Sequence, residues 1–157
     1  MILKLIGGNN PKLLQKVAFS NNDKAVKIGR EMLAFTVKHP ARGLAANQFG
    51  IMERVCIAEI KGRLRIFVNP KIVKREGSQL SRAEGCLTWP SKNGDIWRSQ
   101  RIEVFHDIPD AFGGWYGITS IHEDDEAITL EHEIDHLDGI RCIDKFIKGK
   151  YKFGGSQ

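Results

Sequence analysis

The sequence lacks any apolar run close to the roughly 20 residues that a helix needs to cross a bilayer. Its first segment, MILKLIGGNNPKLLQK, has an apolar stretch too short for the core of a signal peptide. The chain also lacks internal repeats, low-complexity segments and interdomain linkers. These absences predict one domain, residues 1–157, which is large enough to bury a core, and a cytoplasmic location.

Cysteine is scarce, with three residues in the chain: Cys56, Cys86 and Cys142. A small odd number argues against a disulfide framework. Cys56 and Cys142 lie in apolar, strand-like runs, so we expect both to be buried thiols that pack as small hydrophobic groups. Cys86 follows a glycine in the segment AEGCLTWP, where the backbone can approach another element closely.

The net charge of +5 is unevenly distributed. Residues 61–75 contain six basic side chains and no acidic one, whereas residues 122–138 contain eight acidic side chains and no lysine or arginine. The basic segment fits either a polyanion contact or an ordinary solvated face. The acidic residues 123–126 are expected to begin a helix, since carboxylates favour a helix N-terminus.

Helix and strand patterns indicate an α+β fold. Residues 19–40 predict a helix that Ser20 or Asn22 caps and that ends before Pro40. Residues 41–50 and 107–117 are predicted to be a loop and a turn-rich connection. Short runs rich in β-branched residues predict strands at 53–60, 63–70, 71–77 and 101–108. Without helices between them, these strands predict mainly antiparallel sheets.

The segment LEHEIDHLDGI, residues 130–140, carries an HExxH pattern and ends at a glycine typical of a helix C-terminus. On a helix, His132 and His136 lie on one face, and Glu133 lies beside the first of them. Two imidazoles and an adjacent carboxylate fit a hydrolytic metal site, although a solvated acidic helix would have a similar composition. A hydrolytic site also needs a third protein ligand.

Cys86 is the strongest candidate for that ligand, since a thiolate binds divalent transition metals well. His39, His106 and His122 have no motif around them and are expected to be surface or packing residues. Cys86 with His132 and His136 would form a Cys-His-His site that leaves one position open.

Three segments together resemble the peptide deformylase family: GLAANQ (43–48), EGCLT (84–88) and HEIDHLDG (132–139). They occur in the family's order and approximate spacing. The resemblance implies removal of the formyl group from the N-terminal methionine of new polypeptides, with release of formate. It also implies antiparallel sheets packed around a central helix that carries the HExxH motif. Short members of the family include phage-encoded ones.

The resemblance implies a role for each matching residue. It implies that Cys86, His132 and His136 are the metal ligands and that Glu133 is the general base. The Gln48 side chain and the Leu87 backbone N–H would donate hydrogen bonds to the developing oxyanion. Gly43 would line the substrate cleft. Leu87 and Ile128 are further expected to form walls of an apolar pocket for the methionine side chain.

The cofactor that the resemblance implies is one divalent metal ion, Fe²⁺ in vivo, which Ni²⁺, Co²⁺ or Zn²⁺ can replace. The implied partners are formyl-methionyl nascent peptides. The basic segment 61–75 and the basic tail 148–157 are candidate ribosome contacts, and no membrane contact is expected.

The chain departs from the family's usual residues near its motifs at Ala41, Arg42, Asn47, Trp89 and Glu131. Arg42 takes a cleft position that is usually apolar. None of these changes removes a ligand, the base or an oxyanion donor. They bear on substrate preference, rate and metal choice.

Two alternatives remain open from the residues. A zinc peptidase would use a third ligand downstream of the helix, for which Asp144 is available. A non-catalytic protein would hold a structural zinc and bind RNA through the basic segment 61–75. Structural zinc normally has four protein ligands, and Glu133 would have no role beside it.

Overall fold

The computed structural model describes residues 1–148, so the basic tail 148–157 lies outside the described residues except for Lys148. Two helices and seven strands form the fold, together with three short 3-10 turns. The helices are α1 (Asn22–Lys38) and α2 (Asp124–Leu137). The strands are β1 (Gly43–Ala45), β2 (Val55–Ile60), β3 (Arg63–Glu76), β4 (Gln79–Cys86), β5 (Trp89–Arg98), β6 (Arg101–Pro109) and β7 (Trp115–Glu123).

The strands form two antiparallel sheets. One has five strands in the order β1-β2-β3-β6-β7, and the other is the β4-β5 hairpin. Helix α2 contacts strands of both sheets. The predicted α+β class, with antiparallel sheets around the motif-bearing helix, is confirmed. No helix within residues 1–148 is long and apolar enough to cross a membrane.

The N-cap of helix α1 lies between the two predicted caps, Ser20 and Asn22. Asn21 is the N-cap, because its backbone is extended and its side chain accepts the N–H of Lys24 at 3.0 Å. The helix ends two residues before Pro40, as the clash of a proline with a preceding helical residue requires. It packs its apolar face on the five-stranded sheet through residues that include Ala25, Ile28 and Met32.

The predicted strands at 53–60 and 101–108 are confirmed as β2 and β6, but 63–70 and 71–77 are one strand, β3. The register of β3 against β6 shifts between Val68 and Lys71. Asn69 has a φ of 52° there, so the irregularity accommodates Pro70 without ending the strand. Pro70 suggested that the strand ends there, but the irregularity at Asn69 lets β3 continue past the proline.

Four strands were not predicted. β1 lies inside the predicted loop 41–50, and β7 begins inside the predicted connection 107–117, after a turn in which Asp110 accepts the N–H groups of Phe112 and Gly114. β4 and β5 are rich in charged, glycine and serine residues. Their sequences lack an alternating apolar pattern. The two strands are instead stabilised by backbone hydrogen bonds to each other and by the buried ion pairs of Arg98.

Helix α2 is buried along most of its length. Residues including Ala127, Leu130, Ile134 and Leu137 pack with Cys56 in the largest core cluster. Cys56 is therefore the buried thiol that the sequence predicted, and Cys142 is also buried, but in a 3-10 turn instead of a strand.

The C-terminus of α2 ends in a Schellman motif around Gly139, whose φ is +75°. The N–H of Gly139 bonds the carbonyl of His136, and the N–H of Ile140 bonds that of Asp135. The buried guanidinium of Arg54 donates to the Leu137 carbonyl at 3.2 Å. The last turn of the motif helix is thereby fixed against the sheet.

We predict that Gly139→Ala lowers the free energy of unfolding by about 3 kcal/mol. A Cβ at residue 139 would combine the strained backbone with a distance of 2.6 Å to the Leu14 carbonyl oxygen. Gly62→Ala is the matched control, because Gly62 has a φ of +76° but open space around it, and it should cost about 1 kcal/mol. Urea denaturation measures both; equal losses would show that the contact with Leu14 is unimportant.

Candidate active site

The β4-β5 hairpin brings Cys86 against the histidine face of α2. The Cys86 Sγ lies 3.3 Å from Nε2 of His136. Ligand atoms of Cys86 and His132 lie within 4.8 Å of each other, as do those of His132 and His136. Three candidate donors from two distant parts of the chain therefore lie close together, with His132 common to both groups of potential ligands.

A buried carboxylate fixes the orientation of His132. Its Nδ1 lies 2.5 Å from Oε1 of Glu84, which leaves Nε2 as the free donor of the ring. Arg98, whose side chain is completely buried, bonds both oxygens of Glu84 and also Oδ2 of Asp135 at 2.6 Å. Burial alone would raise the pKa of Glu84, but the hydrogen bonds with His132 and Arg98 lower it to about 2.

The sequence did not identify Glu84, Arg98 and Asp135 as site residues. Glu84 stood in the EGCLT motif and Asp135 within HExxH, so the motifs themselves were the available signal. Arg98 has no local signal, since its role depends on the pairing of β5 with β4.

The metal-ligating candidates carry perturbed pKa values. Burial would lower the pKa of His132, but hydrogen bonds with Cys86 and Glu84 raise it to about 10. The pKa of Cys86 is lowered by hydrogen bonds with Cys142 and the two histidines. The same bond with Cys86, together with burial, raises the pKa of Cys142. The opposite directions of these two shifts favour the thiolate at Cys86 over Cys142.

Glu133 is buried beside these donors. Desolvation raises the pKa of its carboxyl to about 8, and its Oε2 has no hydrogen-bond partner among residues 1–148. A Cβ on Gly43 would lie 2.6 Å from Oε1 of Glu133. Glycine at position 43 therefore makes room for this carboxyl group, which lies in the cleft with a proton affinity suited to transfer near neutral pH.

Gln48 is held with its amide nitrogen toward Cys86. Its Oε1 accepts the N–H of Ala45 at 2.8 Å, and its Nε2 lies 3.0 Å from Oγ1 of Thr88 and 3.4 Å from the Cys86 sulfur. Leu87 and Thr88 form the two-residue connection between β4 and β5. Both candidate oxyanion donors therefore lie next to Cys86.

These groups open into a cleft of about 550 Å³. Gly43, Leu87 and Ile128 line it, and so do Arg42 and Arg82. Strands β1 and β4 form its walls, and each pairs with one other strand in the described part of the chain. Each wall therefore has a second edge with backbone groups that an extended peptide can bond.

Three of the departures from the family pattern have structural partners. Asn47 donates from Nδ2 to the His136 carbonyl at 2.5 Å. The Trp89 ring stacks on His136, with a centroid distance of 6.1 Å and an interplanar angle of 7°. Glu131 accepts the Ser99 N–H at 2.9 Å. Each of these contacts holds residues around the site in place, and none of the three side chains is one of the candidate metal ligands.

The remaining candidate ligands lie elsewhere. His39 stacks on Phe35, and His106 and His122 each bond Ser120. Asp144, the ligand that a peptidase would need, bonds Arg141 through both carboxylate oxygens. None of the four lies in a group of potential metal ligands within residues 1–148.

Comparisons with known proteins agree with this arrangement. A family model described as polypeptide deformylase matches residues 2–152. The peptide deformylase of Heliobacterium modesticaldum is 44% identical over 105 residues, which are 66% of this chain and 65% of that relative. The peptide deformylase of Acetivibrio thermocellus is 32% identical over 162 residues and covers 94% of this chain and 86% of its own.

Solved structures give the same result. The crystal structure of peptide deformylase from Thermotoga maritima has a TM-score of 0.82 and 25% identity, and the match covers 94% of this chain and 99% of that one. A peptide deformylase from Legionella pneumophila has a TM-score of 0.78 and 27% identity, over 94% and 88% of the two chains. The chain therefore belongs to the peptide deformylase family.

Proposed function

We propose that this chain is a metal-dependent hydrolase that removes the N-formyl group from the N-terminal methionine of newly made polypeptides and releases formate. The observation that carries the proposal is the placement of Glu133. This buried carboxyl group, whose pKa desolvation raises to about 8, shares a cleft with Cys86 and His132, and His136 lies behind them with its Nε2 3.3 Å from the Cys86 sulfur. A structural metal site would not need it. Family membership supports the same reaction.

The donor set fits a divalent transition metal. Cys86 offers a thiolate, His136 has Nε2 directed at that sulfur, and Glu84 leaves Nε2 of His132 free. One thiolate and two imidazoles suit Fe²⁺, and also Ni²⁺, Co²⁺ or Zn²⁺; we propose Fe²⁺ as the physiological ion. Such an ion, when bound, acidifies water and polarises a carbonyl group. The hydrogen bond with Cys86 and burial raise the pKa of Cys142, so of the two thiols Cys86 is the better metal ligand, although Cys142 also lies in a group of potential ligands with Cys86 and His132.

Glu133 is proposed to move the proton in both halves of the reaction. As a carboxylate, it takes a proton from the attacking water; as a carboxylic acid, it donates that proton to the departing amine. A pKa of about 8 keeps both forms accessible near neutral pH. Gly43 keeps the space in front of the carboxyl group open.

Gln48 and Leu87 are proposed to stabilise the negative oxygen that develops on the formyl carbon. The Gln48 Nε2 is fixed in the site because its carbonyl oxygen is bound to the Ala45 N–H. The Leu87 backbone N–H would supply the second hydrogen bond. Loss of one such donor typically reduces kcat by about 10²–10³.

The peptide is proposed to lie extended between β1 and β4, with its methionine side chain against Gly43, Leu87 and Ile128. We propose a cytoplasmic location, because that is where polypeptides are made. We also propose a weak ribosome contact through the basic segment 61–75. Within it, Lys74 and Arg75 are partly neutralised by Glu76 and Glu131, so the contact would depend on the other basic residues.

The test of the proposed function is formate release from formyl-Met-Ala-Ser. The protein is purified without oxygen and supplied with nickel or iron(II). We expect formate in amounts that track the metal content. A tightly held stoichiometric zinc with no formate release would instead favour a structural site and RNA binding, and cleavage of internal peptide bonds would favour a peptidase.

Glu133→Ala should retain the metal and lose nearly all turnover, because the three metal donors remain while the proton-transfer group is gone. Metal content by atomic absorption and formate release are measured on the same preparation. Turnover close to that of the unmodified protein would remove Glu133 from the proposed role.

Cys86→Ala should lose the metal, whereas Cys142→Ala should retain it. The two thiols are neighbours, but only that of Cys86 is held as the thiolate. Metal content after dialysis against a chelator distinguishes them. Equal metal loss in the two variants would indicate a site closed by four protein ligands.

Glu84→Gln should weaken metal affinity about 10- to 100-fold, because His132 loses the carboxylate that orients its ring. Asp135→Asn is the matched control: it also removes a carboxylate from Arg98 but leaves the Glu84–His132 contact in place. Chelator competition gives both affinities. An equal loss would show that the buried network as a whole, and not the orientation of His132, controls metal binding.

A further inference from the structure

We infer that Arg42 and Arg82 form an anion-binding subsite at the rim of the cleft, which favours formyl peptides with an acidic side chain in one of the two residues after methionine. The part of this inference that concerns kcat/KM rests on the proposed deformylase function. Both arginines line the cleft. They come from different walls, since Arg42 precedes β1 and Arg82 lies on β4.

Neither guanidinium has a close acidic partner in the described residues. Arg42 is 60% exposed, and its nearest acidic partner, Glu59, lies at 4.0 Å, the limit of an ion pair. The Arg82 side chain is exposed and makes no hydrogen bond or ion pair with another side chain in the described range 1–148. Two cationic side chains with unused donors therefore line the path of the peptide.

The acidic groups of the cleft do not cancel this charge. Both oxygens of Glu84 are bound by Arg98, and one also contacts His132. Glu133 is buried, so its carboxyl group is shielded from the solvent at the rim. The rim consequently presents excess positive charge toward the solvent.

The backbone holds both residues at the rim. The Arg42 carbonyl accepts the Glu59 N–H at 2.8 Å, which ties residue 42 to β2. Arg82 lies where the register of β4 against β5 shifts, between Ser81 and Glu84. The next residue, Ala83, has a φ of 48°, and its N–H bonds Oδ1 of Asp95 at 2.9 Å. A bulge anchored in this way re-aims the side chains around it.

A carboxylate is the ligand that this pair suits. Guanidinium groups bind carboxylates through charge-assisted hydrogen bonds, often two at a time. An extended peptide between β1 and β4 would carry the side chains that follow methionine past these walls. Since the arginines are exposed, we expect a kcat/KM preference for glutamate over glutamine of about three- to tenfold.

The experiment compares C-terminally amidated formyl peptides, so that no terminal carboxylate competes. Formyl-Met-Glu-Ser amide, its glutamine isostere and its lysine analogue are assayed, and a second set carries the variable residue one position later. We expect the order Glu, Gln, Lys in kcat/KM at one of the two positions. We also expect the Glu/Gln ratio to fall as ionic strength is raised from about 20 mM to about 500 mM.

Arg42→Gln and Arg82→Gln should each move the Glu/Gln ratio toward one. Arg30→Gln is the matched control, because Arg30 is an exposed arginine on α1 outside the cleft lining, and it should leave the ratio unchanged. A ratio of one in the unmodified protein at both positions, or a ratio that neither cleft variant alters, would overturn the inference.

Binding of the deformylated peptides Met-Glu-Ser amide and Met-Gln-Ser amide, measured by calorimetry, separates this inference from the proposed function. Formate release with no Glu/Gln difference contradicts only the subsite. No formate release, together with tighter binding of the glutamate peptide that Arg82→Gln abolishes, contradicts the proposed reaction and supports the subsite. Equal affinities for the two peptides overturn the subsite whatever the activity.

Discussion

The buried ion network of Glu84, Arg98 and Asp135 joins the β4-β5 hairpin to the motif helix. Arg98 is on β5, Glu84 on β4 and Asp135 on α2, so one buried guanidinium connects the hairpin to the helix. A buried charge without partners is strongly unfavourable. The hairpin and α2 can therefore pack only in the arrangement that satisfies Arg98. That arrangement sets Cys86 against His136 and directs the free nitrogen of His132 at the same point.

The sequence predicted the fold class, α1, α2 and the apolar strands correctly, because these elements have clear periodicity and clear ends. It failed where structure depends on long-range pairing. β4 and β5 have few alternating apolar residues, and their pairing depends on a bulge and on buried ion pairs. β3 was divided in two because Pro70 suggests a strand end, whereas the positive φ of Asn69 lets the strand continue.

The candidate site was predictable to a similar extent. The residues that converge in the structure all stood in three short motifs, and spacing on a helix gave the relation of His132 to His136. The supporting residues were less accessible to sequence reasoning. Arg98 and Cys142 show no local pattern, since their relation to His132 and Cys86 arises from contacts between elements distant along the chain. The contacts of Asn47, Trp89 and Glu131 explain how the chain departs from the family pattern without disturbing the donors.

The positions of the converging residues along the chain also order events during synthesis. Gln48 and Cys86 leave the ribosome well before α2, and Arg98 remains without its helix partner until Asp135 appears. The hairpin cannot reach its native arrangement, and the three donors cannot converge, before His136 has been made and has folded onto β2. Metal acquisition is consequently a late step in the life of each molecule. The chain can therefore assemble its metal site only after its own N-terminus has already been exposed to other molecules.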